Sequence, residues 1–105
     1  MKDLGCPVIT TLSVIGGKWK PAILWTLSDW EVARFNKLRR RLAPITQKML
    51  TQQLRELEAD GIINRKIYAE VPPRVEYRLT GYGKTLFPIM AEMAKWGEAH
   101  QRNEG

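Results

Sequence analysis

One cysteine and one histidine are all that this chain offers of the residues that hold transition metals. Cys6 and His100 cannot complete a tetrahedral set, so no structural zinc site is expected within the chain. A single cysteine also allows no intramolecular disulfide, which points to a reducing compartment. Long apolar runs are missing, and so is a basic amphipathic tail, which argues against a membrane partner. No secretory signal pattern opens the sequence, and a cytoplasmic location is expected. There is no Ser/His/Asp set and no metal cluster, and Gly16-Gly17-Lys18 is too short for a phosphate loop. The chain therefore reads as a non-enzyme without cofactors. It has no repeat, linker or low-complexity stretch, and its 105 residues suit one domain.

What the chain does have is unevenly placed positive charge. The net charge is +6. Between Arg34 and Arg78 there are 11 Lys or Arg against 5 Asp or Glu, and the remainder carries 6 of each. All the excess sits on the central segment, which favours an anionic partner docked on one region, nucleic acid first.

Periodicity and punctuation give the elements. Pro7 suits the first turn of a helix, with Val8, Leu12 and Ile15 at i, i+4 and i+7, and Gly16-Gly17 ends it. A second helix starts near residues 19–21 and turns Ile23, Leu24 and Leu27 inward. Residues 29–33 read as a turn, and residues 34–35 as a short strand that pairs with a later hairpin. Asn36 is expected to cap a third helix over residues 37–42, with Leu38 and Leu42 inward. After the turn at residues 43–45, Thr46 caps a fourth helix that Gly61 stops. Residues 62–68 and 75–79 read as strands joined by a loop. Thr80 is expected to cap a last helix running to about residue 101, kinked by Pro88 opposite the Lys84 carbonyl.

On the fourth helix, Leu50, Leu54 and Leu57 share one face. Lys48, Thr51, Gln52 and Arg55 lie roughly opposite, with Thr46 and Gln47 at the start. These are residue types that read base edges: Gln suits adenine, Arg and Lys suit guanine, and the Thr methyl suits thymine. Glu56, Glu58 and Asp60 gather at the C-terminal end, so the N-terminal half is the half expected to enter a groove. The following hairpin carries Arg65, Lys66, Pro73, Arg74 and Arg78 around a Pro72-Pro73 tip that stiffens the loop. Arg39, within Arg39-Arg40-Arg41 on the third helix, is a candidate backbone-phosphate contact. A groove-entering helix beside a basic hairpin is the plan of a winged helix-turn-helix, mainly α with a small β wing. Two uses of that plan stay open. One is a DNA-binding regulator; the other is a protein-interaction module that reads no bases. Lys48, Gln52 and Arg55 suit bases better than an apolar protein surface.

The residues CPV, IGGKW, RFNKLRR, TQKMLTQQLRELEADGII, EVPPRVEYRLT and a late Trp-Gly resemble the HxlR family of bacterial regulators, relatives of the MarR-type winged helix proteins. The resemblance runs from Cys6 to Gly97 and implies a homodimer built from the first and last helices. It departs from the family pattern at Asp29-Trp30, a large aromatic expected in a turn, and at Ala43-Pro44-Ile45-Thr46, which keeps a hydroxyl cap. The last helix supports association independently. Leu86, Met90, Met93 and Gly97 form a stripe, with Trp96 beside it, that a small domain cannot bury alone. Val8, Leu12, Leu86, Met90, Met93 and Trp96 are the expected dimer contacts.

Cys6 has two readings, a small packing residue or a thiol sensor. Backbone donors at the helix start favour a thiolate. Lys2 is expected to help and Asp3 to oppose. The resemblance implies that a small oxidant or electrophile acts on this cysteine in some members. Trp19, Trp25, Trp30 and Trp96 are read as core rather than as a ligand box.

Overall fold

The computed structural model describes residues 5–104; Lys2 and Asp3 lie outside them. In chain order the elements are α1 Pro7–Ile15, α2 Trp19–Trp30, β1 Ala33–Arg34, α3 Phe35–Arg41, α4 Gln47–Ala59, β2 Ile63–Tyr68, β3 Arg74–Leu79, α5 Gly81–Lys84 and α6 Phe87–Glu104. The three strands form one antiparallel sheet in the order β1-β3-β2. Ala33 pairs with Tyr77, and Ile63 through Tyr68 pair with Leu79 through Arg74. The third strand therefore lies beside the middle of β3, at Glu76 and Tyr77, and the tip of the wing is two-stranded.

The core is built where the apolar stripes converge. Ile23, Leu24 and Leu27 of α2, Leu38 of α3 and Leu50, Leu54 and Leu57 of α4 are fully buried together with Ile15 and Ile63. Burying each such side chain contributes roughly 1.5–3 kcal/mol, so the α4 leucines alone anchor that helix firmly. Thr46 caps it by accepting the Met49 N–H at 3.1 Å. Gly61 follows at φ 76°, a left-handed position that suits glycine, and the chain turns there into β2.

Four boundary expectations are corrected. The α2 helix continues through Asp29 and Trp30, so Trp30 sits in a helical turn, packed against the core. Chain reversal is left to Glu31, at φ 68°, where the Val32 N–H closes back on the Trp30 carbonyl. The first strand is Ala33–Arg34, and Phe35 already belongs to α3. Asn36 lies inside that helix; Arg34 is its N-cap residue, without a side-chain cap bond. Finally, the last helix is broken. Thr80 caps only the short α5, accepting the Gly83 N–H at 2.8 Å. Pro88 then falls in the first turn of α6, where a missing donor costs little.

The molecule measures 49 × 36 × 24 Å. The α6 helix has 18 residues, about 27 Å at 1.5 Å per residue. Its start is fixed by Leu86 and Met90, and most of the rest carries little core contact.

Candidate nucleic-acid interface

The packing of α4 decides which of its faces is free. With Leu50, Leu54 and Leu57 buried, the opposite face is turned outward. Gln47, Lys48, Thr51, Gln52, Arg55 and Glu56 line one shallow concavity there. Gln47, Lys48, Gln52 and Arg55 are exposed and Thr51 is half-buried, so five of the six residues singled out in sequence share this surface, and Thr46, also exposed, caps the helix beside it.

The acidic end of α4 is less repulsive than its sequence suggests. The Glu56 carboxylate takes the Lys20 ammonium at 2.6 Å on one oxygen. On the other it accepts from the Gln52 amide at 3.3 Å. The Lys20 hydrogen bond holds Glu56 below the usual carboxylate range; the Gln52 hydrogen bond and the Lys20 charge act in the same direction. Glu58 faces Arg65 of the wing at 3.8 Å. Two of the three carboxylates thus have internal counter-charges.

On the wing the cations divide. Arg65 and Lys66 are exposed on β2, and Pro73 is exposed at the tip. Arg74 is committed inward. It pairs with Glu70 at 3.2 Å and Glu76 at 3.7 Å, and its guanidinium lies 4.0 Å from the centre of the Tyr68 ring. Its Nε is buried without a hydrogen-bond partner. Arg74, expected as a wing contact to DNA, is held against the hairpin by the two carboxylates opposite it. Arg78 likewise contacts Glu76 at 3.3 Å.

Arg39 and Arg40 are exposed and line a concavity with Asn36 and the turn that leads into α4. Arg41 instead lies 5.8 Å from the Trp30 ring centre, as does Lys37. A cleft between α3 and the wing tip is lined by Arg34, Lys37 and Arg40 on one side and by Val71, Pro72 and Pro73 on the other. Arg34 and Lys37 were not singled out in sequence. The signal for them was the short strand, which places α3 beside the hairpin.

The proposed dimer contacts are split by the fold. Met90 is only 5% exposed and lies in the protomer's own core, and Leu86 packs against that core. Of the six expected dimer contacts, these two thus pack within the protomer, where α6 docks on its own α2. Val8 (64% exposed), Leu12 (52%), Met93 (47%) and Trp96 (69%) remain open. Trp25 and Phe87 are also exposed and stack at 5.9 Å. Trp25 and Trp96 are thus not core residues; Trp96 stacks on His100 at 4.9 Å. Cys6 is half-buried and forms the N-cap of α1. Its carbonyl accepts from Ile9 and Thr10, and its side chain makes no cap bond.

Among the described residues no group of His, Cys, Asp and Glu is placed to hold a metal, and no helix is long and apolar enough to cross a membrane.

Comparison with known proteins points to one family. Residues 14–104 match the family described as HxlR-like helix-turn-helix. The HTH-type transcriptional regulator YybR of Bacillus subtilis (strain 168) is 56% identical over 97 residues, which cover 92% of this chain and 77% of that one. The solved structure of the redox regulator HypR in its oxidized form aligns with a TM-score of 0.84 at 56% identity, covering 90% of this chain and 96% of that chain. Its reduced form aligns with a TM-score of 0.88 at 54% identity, covering 91% and 94%. These similar proteins are regulators rather than enzymes.

Proposed function

The chain belongs to the HxlR-like helix-turn-helix family and is a transcriptional regulator of that type, and from this premise we propose that it binds duplex DNA as a homodimer. The observation that carries the proposal is the outward face of α4. Lys48, Thr51, Gln52 and Arg55 stand on a helix whose opposite face is locked into the core. Lys and Arg offer donors to guanine, and Gln offers a donor and an acceptor to adenine. Arg39, Arg65 and Lys66 hold the backbone on either side. Pro73 stiffens the wing tip, and Arg74 orders the wing from within.

The exposed residues Val8 and Leu12 of α1 and Met93 and Trp96 of α6 support the dimer. Apolar side chains of this size are seldom left open together on the terminal helices of a monomer. Two copies related by a two-fold axis present two α4 helices to successive turns of DNA. Cys6, at the start of α1, sits on one of these helices. A thiol there that meets an oxidant or electrophile would change the packing of α1 and so the spacing of the two α4 helices. The redox regulator HypR, over half identical, supports that reading. The protein would act in the cytoplasm.

Selection of bound duplexes from a random pool tests the proposal. The expected product is a two-fold symmetric sequence with half-sites about 10 bp apart, or a multiple of that. A pool that shows no enriched sequence after repeated rounds contradicts direct base reading.

A further inference from the structure

Lys20 is the one buried cation among the described residues, and DNA contact does not explain it. Its side chain is nine-tenths buried on α2, on the same face as Ile23, Leu24 and Leu27. The core therefore sets where the ammonium lies. It meets Glu56 Oε1 at 2.6 Å, on the neighbouring helix. Glu56 Oε2 in turn accepts from Gln52 Nε2 at 3.3 Å, on the open face of α4. An ionised carboxylate only accepts, so the Gln52 side chain must turn its amino group toward Glu56. That leaves the Gln52 amide oxygen, with one remaining N–H, to face outward.

We propose that Lys20 is a positioning residue for base recognition: acting through Glu56, it fixes the Gln52 amide so that α4 accepts adenine and rejects guanine at the pair it contacts. The proposal rests on the reading of α4 as a base-reading helix. Adenine presents an N6–H donor and an N7 acceptor in the major groove, which match an outward amide oxygen and N–H. Guanine presents two acceptors, N7 and O6, and the outward oxygen meets one of them without a hydrogen between. A free amide escapes this by rotating half a turn, but an amide bonded to Glu56 does not. Without Lys20, the partly exposed Glu56 would sample several rotamers and release the amide. Stability is a weak alternative role, because an ion pair with one exposed partner adds little to a helix already held by three leucines.

The test uses the full chain and a duplex selected from the random pool. Gln52→Ala first identifies the base pair at which discrimination depends on that residue. Affinity is then compared for the selected duplex and for the same duplex with that A·T changed to G·C. The wild type should prefer A·T by about ten-fold. Glu56→Ala, and the paired change Lys20→Met/Glu56→Ala that strands neither charge, should reduce the preference to within about two-fold. Lys20→Arg, which keeps a cation opposite Glu56, should retain most of it. Affinity for scrambled DNA should stay level or rise, since a carboxylate is lost near phosphate. Retention of the ten-fold preference in Glu56→Ala and in the paired variant would overturn the positioning role while leaving base reading by Gln52 intact. If Gln52→Ala changes discrimination at no pair, Gln52 reads no base and the proposal fails, while base reading by the rest of α4 is judged by Arg55→Ala.

Discussion

The two wing cations Lys66 and Arg74 look interchangeable in sequence, and their surroundings separate them. Lys66 is exposed, with its ammonium 5.0 Å from the Tyr68 ring centre, whereas Arg74 is held between Glu70 and Glu76 over that ring. Lys66→Ala should leave the thermal midpoint in place, weaken specific and scrambled DNA alike and lower the salt slope by about one. Arg74→Ala should instead destabilise the fold by about 1–2 kcal/mol, read from urea midpoints, because it releases two carboxylates and uncovers an aromatic face. Equal midpoints for both variants would show that Arg74 is not a structural residue. Glu56 gives a pH signature with a definite sign. Its partners depress its folded-state pKa, so its contribution is complete above the unfolded value, roughly 4.3, and is lost as pH falls through the folded value. The stability gap between wild type and Glu56→Ala should therefore be constant near neutrality and narrow on acidification. At Cys6 the expected behaviour is chemical: oxidant should alter DNA affinity reversibly in the wild type and not in Cys6→Ser. Identical responses of the two proteins would leave Cys6 as a packing residue.

At the scale of elements, the joint between β3 and α5 is more tightly built than it reads. The Thr80 hydroxyl donates to the Gly61 carbonyl at 2.7 Å and accepts from Gly83, which ties α5 to the turn after α4. A Cβ at Gly83 would overlap the Ile62 carbonyl oxygen, so the backbones can approach only because position 83 is glycine. Gly83→Ala should cost more than about 2 kcal/mol, far beyond an exposed helical substitution, and a loss of less than about 0.5 kcal/mol would contradict the close approach. Thr80 was legible as a cap, but Gly83 was not, because a close backbone approach leaves no pattern in a single sequence. Elsewhere, elements with strong periodicity were legible. The Leu50, Leu54 and Leu57 stripe, the Thr46 cap and the Gly61 stop placed α4 and its open face. Boundaries set by competing interactions were not. Trp30 extends α2 because it packs on the core, and two flanking carboxylates turn Arg74 inward. The Lys20 link was partly legible, since Lys20 shares the spacing of Ile23, Leu24 and Leu27, yet its partner lies 36 residues away in sequence.

The whole molecule is elongated because α6 reaches beyond the core that anchors its start. Val8, Leu12, Met93 and Trp96 are among the apolar groups left exposed once the protomer has formed its own core. A carboxylate in a dry seam is costly, so Met93→Glu should yield a folded monomer in sedimentation, with operator affinity lowered far more than a single-site contact would lower it. A dimer that survives this change would place the seam elsewhere. The positive charge lies elsewhere, since the segment from Arg34 to Arg78, which holds α3, α4 and the wing, carries all of the excess, while the proposed dimer contacts lie on α1 and α6. The central claim is that the outward face of α4 reads DNA bases on a charged platform. Its most direct measurement is the Kd of wild type and Arg55→Ala on the selected duplex and on a scrambled one, each across a salt series. The account predicts steep salt dependence for all four pairs, and a loss of about 1–3 kcal/mol for Arg55→Ala on the selected duplex with little on the scrambled one. Salt-independent binding, or equal losses on both duplexes, would contradict it.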